Sequence, residues 1–124
     1  MARDGDVDLF VIDGGQTGCS LRPVPGERTT ATRVPIRTLD TYAAGHRLGR
    51  VDFVKMDIEG GERDALIGGE ALFHRASPVL LVEIEPAHVA HWGYQARDIF
   101  ELVASWGYEW QPSGGNYLAR PKAL

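Results

Sequence analysis

Residues 51–62 read Val-Asp-Phe-Val-Lys-Met-Asp-Ile-Glu-Gly-Gly-Glu, and this stretch decides the fold class. Apolar residues predominate up to Ile58, as in a buried strand, and a helix-like pattern follows the two glycines. The stretch therefore predicts a strand, a glycine turn and a helix in direct succession. Ligands bind at the carboxyl ends of strands in open α/β sheets, because backbone groups and helix N-termini converge there. Two carboxylates at this end, Asp57 and Glu59, indicate a site rather than a core.

The rest of the chain extends this pattern in both directions. Residues 51–58 are predicted as the central strand, and four consecutive apolar residues in 78–84 indicate a neighbouring strand covered on both faces. The order of strands and helices predicts an α/β sheet, parallel in its middle with an antiparallel edge. The other predicted elements are a strand at 7–12, a surface loop at 22–32, an extended piece at 33–37, a short helix capped by Thr38, a helix at 62–74, an irregular connection at 87–93, a helix at 96–106 and a hairpin formed by 108–111 and 117–120.

Composition excludes several classes of protein. The chain has 124 residues and reads as a single domain (1–124), with 44% hydrophobic and 24% charged residues, which are ordinary globular values. A formal net charge of -4 without a stripe of Lys or Arg excludes a nucleic-acid partner. The single cysteine, Cys19, cannot form an internal disulfide and suits a reducing compartment. Neither a signal peptide nor an apolar run long enough for a bilayer is visible, so we expect a cytoplasmic protein without a membrane partner.

Four pieces of sequence, taken together, carry a resemblance to a known family. They are Val-Pro-Ile-Arg-Thr-Leu-Asp at 34–40, the stretch at 51–62, Pro-Val-Leu-Leu-Val-Glu-Ile at 78–84 and Trp-Gly-Tyr at 106–108. Over residues 33–120 the chain resembles the C-terminal half of an FkbM-type methyltransferase domain. The resemblance implies a Rossmann-like sheet, S-adenosylmethionine as cofactor, and methylation of a hydroxyl on a small molecule or sugar.

The family's pattern also has a first strand that ends in an Asp-x-Gly-x-x-x-Gly turn, which holds the methionine part of the cofactor. Asp13, Gly14 and Gly18 lie in a similar turn and are the candidate cofactor-binding residues. Only 32 residues separate Gly18 from Val51, too few for two further strands, since each βαβ unit takes about 30 or more residues. The preferred alignment therefore makes 7–12 a later strand, and predicts a sheet that lacks its N-terminal, cofactor-binding half.

The candidate catalytic residues follow from what methyl transfer to a hydroxyl requires, namely an oriented acceptor that loses its proton. Asp57 and Glu59 are placed to orient the hydroxyl or to accept the proton. Lys55 shares a strand face with Asp57, which predicts an ion pair that is either catalytic or structural. Glu83 ends the next strand, about 4.8 Å away in a parallel pair, and carboxyls that close together raise one pKa.

Three further residues are candidates for substrate binding. They are Gly60 in the strand-to-helix turn, Glu85 just beyond the second strand, and Trp92, whose ring would stack on a substrate. For Gly60, backbone geometry alone is the alternative explanation. His88 and His91 are three residues apart without further ligands in a metal-binding pattern, so we expect rim histidines and no metal site there.

Two other classes of function stay open at this point. The chain could be a non-catalytic remnant or interaction module with the same fold and no cofactor site. Alternatively, Asp57, Glu59 and Glu83 could bind Mg²⁺ or Ca²⁺, because oxygen ligands suit hard cations. An absent neighbour beside residues 51–58 would leave a strand edge that invites self-association, unless residues 7–12 fill the gap.

Overall fold

The structure, a computed structural model, describes residues 1–13 and 19–123. The strands in this part of the chain are β1 (Gly5–Ile12), β2 (Cys19–Ser20), β3 (Thr29–Ile36), β4 (Phe53–Met56), β5 (Val79–Val82), β6 (Tyr108–Ser113) and β7 (Asn116–Pro121). The helices are α1 (Leu39–Gly45), α2 (Glu62–Gly68), α3 (Glu70–Ala76), α4 (Pro86–His91) and α5 (Ala96–Ser105). The mixed α/β class predicted from the sequence is confirmed.

A four-stranded sheet with the order β4-β5-β7-β6 carries the centre of the fold. Strands β4 and β5 are parallel, and Met56 is paired with Val82, whereas β5–β7 and β6–β7 are antiparallel. In the described residues this sheet is therefore mixed rather than mostly parallel, because the C-terminal hairpin inserts β7 directly beside β5. The strand predicted as central is also shorter than expected, and among the described residues β4 lies at the edge of its sheet.

A second, antiparallel sheet has the order β2-β1-β3. The predicted strand at 7–12 lies here as β1, so it does not fill the gap beside β4. The predicted loop at 22–32 is wrong in its last part, because Thr29 pairs with Ile12 and Thr32 with Leu9. The β-branched threonines of this segment favour a strand once a partner is present, which a local pattern does not reveal.

The helix predicted at 62–74 is two helices, α2 and α3, separated at Gly69. A Cβ atom at Gly69 would lie 2.8 Å from the ring of Phe73, so close packing keeps a glycine at the break. The carboxylate of Asp40 in α1 then caps α3, accepting hydrogen bonds from the amides of Ala71 (3.2 Å) and Leu72 (2.9 Å). The predicted cap of α1 by Thr38 is confirmed.

The connection predicted as irregular at 87–93 is largely helix α4. Pro86 occupies its first turn, where a missing amide hydrogen costs nothing, and the side chain of Glu85 caps it by accepting from the amide of Ala87. Helix α5 follows as predicted, with Ile99 and Val103 buried. In the described part of the chain no helix combines the length and the apolar character that crossing a membrane requires.

The core lies between the four-stranded sheet and its helices. Its largest fully buried side chains are Phe73, Leu66, Leu80, Ile99, Val82, Val89 and Val103. None of the buried core residues belongs to β1, β2 or β3, whose described residues are all half-buried or exposed. The core packing beneath the site therefore comes from the four-stranded sheet and its helices.

Candidate functional site

Two predicted site residues meet at the carboxyl ends of the parallel strands. Asp57 follows β4 and Glu83 follows β5, and the pairing of Met56 with Val82 brings them side by side. The carboxyl of Glu83 shares a hydrogen bond with that of Asp57, and this bond, more than burial or charge, raises the pKa of Glu83. A second carboxyl this close disfavours the charged form of Glu83.

The predicted ion pair between Lys55 and Asp57 is not formed. Both residues are described and exposed, and the ion pairs within 4.0 Å in the described ranges join other groups. The prediction assumed that side chains alternate along the whole stretch, but β4 ends at Met56, one residue before Asp57. Asp57 therefore turns toward Glu83, and the catalytic role of Lys55 stays a prediction.

The backbone after Asp57 forms a tight turn that other side chains hold in place. Glu59 and Gly60 both have positive φ, at 56° and 100°. The indole nitrogen of Trp92 donates to the carbonyl of Glu59 (3.2 Å), and the hydroxyl of Tyr94 donates to the carbonyl of Gly60 (2.6 Å). A Cβ atom at Gly60 would lie 2.6 Å from the carbonyl oxygen of His88. We call residues 57–61 the acidic turn, and its glycine is explained by this backbone contact; a substrate-binding role for Gly60 stays a prediction.

The side chain of Glu59 points away from the turn toward helix α4. Its Oε2 atom lies 3.1 Å from Nε2 of His88, a contact that becomes an ion pair when the imidazole is protonated. Glu59 is a non-glycine residue in the left-handed region, a conformation that costs about 1–2 kcal/mol. We call Asp57, Glu59 and Glu83 the acidic edge.

A fourth carboxyl, that of Glu62, lies beneath the acidic turn. Glu62 is only 3% exposed, and its Oε1 atom accepts a hydrogen bond from the amide of Ile58 (3.3 Å). Its Oε2 atom has no hydrogen-bond partner among the described residues. Burial raises the pKa of Glu62, the nearby amides of the turn oppose that shift, and the charge of Asp57 adds to it.

Trp92 and Glu85, both predicted to bind substrate, make contacts within the chain. The guanidinium carbon of Arg22, in the loop between β2 and β3, lies 4.2 Å from the ring centroid of Trp92, which ends helix α4; this is a cation–π contact. Glu85 caps α4 through its side chain. The predicted substrate-binding roles of both residues stay predictions.

Two clefts open beside the acidic edge, and the antiparallel sheet forms one wall of each. The larger has a volume of about 400 Å³ and is lined by Ile12, Cys19, Ser20, Val24, Pro25, Glu59, Ala87, His88 and His91. The smaller has a volume of about 280 Å³ and is lined by Met1, Leu9, Cys19, Ser20, Leu21, Asp57, Ile58 and Glu59. Glu59 lines both clefts, so a ligand in either would meet a carboxylate.

The predicted cofactor residues lie at the far end of β1. The carboxylate of Asp13 accepts a hydrogen bond from the hydroxyl of Thr30 (2.6 Å), and its amide donates to the carbonyl of Arg28. Gly14 and Gly18 lie outside the described residues. A cofactor-binding role for these three residues stays a prediction.

The alternative in which Asp57, Glu59 and Glu83 hold a divalent cation finds no support in the geometry. Within residues 1–13 and 19–123, no group of three or more His, Cys, Asp or Glu side chains is arranged to hold a metal ion. The metal-binding interpretation stays a prediction.

Sequence reasoning missed three residues that build the site. Glu62 was assigned only to a helix start, although its place directly after the two glycines lets its side chain reach back over the turn. His88 was interpreted as a rim residue, and its contact with Glu59 depends on α4, which was predicted as irregular. Tyr94 carries no local signal, because its contact with Gly60 spans 34 residues.

A comparison with protein families assigns most of the chain to one domain family. The model of the Methyltransferase FkbM domain matches residues 2–110, which include the antiparallel sheet, the acidic turn and helix α5. No curated protein and no solved structure matches the chain. Because the match covers well over half of its length, the chain belongs to the FkbM methyltransferase domain family.

Proposed function

We propose that the chain functions in S-adenosylmethionine-dependent methyl transfer to a hydroxyl of a small molecule or sugar. Membership of the family supports methyl transfer. The single observation that supports a hydroxyl acceptor is the side-by-side placement of Asp57 and Glu83 at the carboxyl ends of β4 and β5. The proposal includes that the four-stranded sheet is related to the Rossmann-like sheet of such enzymes.

The Asp57–Glu83 pair is the proposed proton acceptor. A hydroxyl is a weak nucleophile until a base takes its proton, and a base works best when its pKa lies near the operating pH. The shared hydrogen bond raises the pKa of Glu83 toward that range. The proton of the acceptor hydroxyl passes to the pair, while Glu59, which lines both clefts, orients the acceptor.

The walls of the smaller cleft, which Asp57 lines, favour an uncharged acceptor. Leu9 and Leu21 offer an apolar surface there, and the cleft also contains the carboxylates of Asp57 and Glu59. The carboxylates of the acidic edge would repel a phosphorylated acceptor. A sugar or small alcohol with one apolar face fits this combination, and no nucleic-acid or membrane partner is proposed.

The described residues do not by themselves form a pocket for S-adenosylmethionine. The close approach at Gly60 and Gly61, which a cofactor could have used, is made by His88 and Trp92 of the chain itself. The carboxylate of Asp13 accepts a hydrogen bond from the hydroxyl of Thr30. We therefore assign only the acceptor side of the reaction to these residues, and no step is derived through the cofactor. When bound, the cofactor would supply the methyl group as an electrophile.

Asp57→Asn is the decisive substitution, with Asp52→Asn, at the opposite end of β4, as the matched control. Asp52 is exposed and pairs with Arg50 at the surface. We expect Asp57→Asn to lower methyl transfer by about 10²–10⁴-fold, the usual contribution of a general base, with little change in Tm. The measurement is transfer of a labelled methyl group from S-adenosylmethionine to a panel of neutral sugars and alcohols. Equal activity in both variants would contradict the proposal.

The second candidate function is an interaction module without catalysis, and the edge strand β4 favours it. In the described residues β4 has a paired neighbour on one side only, and Phe53 is 54% exposed there. Such an edge supports pairing with a second copy of the chain. Calorimetry with S-adenosylmethionine separates the candidates, since heat release supports the enzyme and none supports the module.

Light scattering tests the proposed self-association directly. A strictly monomeric protein would contradict pairing through β4.

A cytoplasmic location is likewise a proposal, supported by the free and exposed thiol of Cys19, which suits a reducing compartment.

A further inference from the structure

The acidic turn is held from beneath by a carboxyl that the proposed reaction does not use. Glu62 begins helix α2, and its side chain reaches back over the turn, where Oε1 accepts from the amide of Ile58 (3.3 Å). Ile58 is the residue directly after Asp57. The position of Asp57 relative to Glu83 therefore depends on a contact made by Glu62.

The other two contacts to the turn act on carbonyls further along it. Trp92 bonds the carbonyl of Glu59 and Tyr94 bonds that of Gly60. Among the contacts described here, Glu62 makes the side-chain contact nearest to Asp57. A carboxyl that is 3% exposed and keeps one oxygen unpartnered is costly, since an unmade hydrogen bond of a buried polar group costs about 1–3 kcal/mol. A glutamate at this place needs an explanation beyond packing.

We infer that Glu62 is a positioning residue, whose hydrogen bond to Ile58 sets the distance between Asp57 and Glu83. This inference rests on the proposed function, because positioning matters only if the pair accepts a proton. The groups that face Glu62 are Asp57 and Tyr94; the charge of Asp57 favours its protonated form, and burial does so more strongly. The hydrogen bond through Oε1 is available to either protonation state of the carboxyl.

Two substitutions separate this role from a purely structural one. Glu62→Gln keeps an oxygen at the length needed to accept from Ile58 and removes the ionisable group. Glu62→Asp keeps the ionisable group and shortens the side chain by one methylene, so that the contact is lost. Glu101→Gln, at an exposed position of α5, is the matched control.

The readout is the pKa of Glu83 in the full chain, followed by carboxyl NMR between about pH 3 and pH 8, which brackets ordinary and raised glutamate values. We expect Glu83 to keep its raised pKa in Glu62→Gln and in the control. In Glu62→Asp the pKa should return to the ordinary range of a glutamate, because Asp57 moves away. The rate of methyl transfer should follow, falling by about 10²-fold in Glu62→Asp alone, as expected for a misplaced catalytic group.

The two proposals fail in different ways. A protein that transfers no methyl group but shows the expected Glu83 titrations would contradict the proposed function and leave the positioning intact. An unchanged pKa of Glu83 in folded Glu62→Asp would overturn the inference. Loss of the raised pKa in Glu62→Gln, or unfolding of both variants, would also overturn it, because Glu62 would then serve the charge balance or the core.

Discussion

The four-stranded sheet and the antiparallel sheet are built from similar strand-forming sequences, yet they are packed very differently. Leu80 and Val82 of β5 are fully buried, whereas every described residue of β1–β3 is half-buried or exposed. The two sheets nevertheless meet at the same clefts. Glu59, in the turn that follows β4, forms one side, and Cys19 and Ser20 of β2 form the other.

This difference in burial indicates that the two sheets have different structural roles. The four-stranded sheet contains the buried residues Leu80 and Val82, and Asp57 and Glu83 follow the ends of its two parallel strands. The antiparallel sheet lacks fully buried residues in its described part, and its strands are held mainly by their pairing with one another. We therefore expect changes in the first region to affect stability and the site together, and changes in the second to affect mainly access.

The largest expected effect comes from comparing Leu80→Ala with Leu9→Ala. Leu80 is 0% exposed, and a buried Leu→Ala change costs about 2–5 kcal/mol of unfolding free energy. Leu9 in β1 is half-buried, so its loss should cost less than about 1.5 kcal/mol. Urea unfolding of both variants measures the difference. Equal losses would mean that the antiparallel sheet is packed as tightly as the core.

A smaller effect should come from comparing Gly60→Ala with Gly26→Ala. Both glycines have positive φ, at 100° and 77°, so both substitutions carry the same kind of backbone strain. Only Gly60 is crowded, since an added Cβ would lie 2.6 Å from the carbonyl oxygen of His88, whereas nothing lies within 4 Å at Gly26. The crowding should cost about 1–3 kcal/mol more. Thermal unfolding checks it, and equal Tm values would show that the turn yields easily.

The smallest expected effect concerns the pH dependence of stability, which should have opposite sign for Glu83 and for Asp4. The shared hydrogen bond raises the pKa of Glu83, so its stabilising contribution is complete below the unfolded value of about 4.3 and is lost as pH rises through the folded value. The amide of Thr38 lowers the pKa of Asp4, whose contribution is present above about 3.9 and is lost as pH falls.

Stability curves of Glu83→Gln and Asp4→Asn would test this contrast. Glu83→Gln should flatten the decline in unfolding free energy that begins as pH rises above about 4.3. Asp4→Asn should flatten only the decline on the acid side. Curves that keep the original shape in both variants would show that these carboxyls do not couple to folding.

The sequence was sufficient where the signal is local. A continuous apolar run predicted β5, helical spacing predicted α5, turn residues between two short segments predicted the hairpin, and the cap at Thr38 followed from residue type. The approach of Glu83 to Asp57 was expected because parallel strands end at the same edge, although their proposed catalytic roles still await a test. The Lys55 pairing failed because the alternation of side chains stops where the strand ends.

The features of the fold that the sequence did not predict depend on contacts that a local sequence pattern does not reveal. The antiparallel sheet requires Thr32 to find Leu9, and a proline-containing segment with scattered threonines gives little indication of that partner. The break at Gly69 is decided by the ring of Phe73. The hydrogen bond from the hydroxyl of Tyr94 to the carbonyl of Gly60 joins parts of the chain that are distant in sequence.

The contact between Arg22 and Trp92 provides an optical probe that needs no label. Trp92 is one of three tryptophans, and the others, Trp106 and Trp110, pack against Phe73 and Phe100. In a variant with Trp106 and Trp110 replaced by phenylalanine, ultraviolet emission would come from Trp92 alone. Because a guanidinium lies 4.2 Å from that indole, its emission would report when the loop that carries Arg22 moves away from Trp92. The opening of the clefts could then be followed in real time.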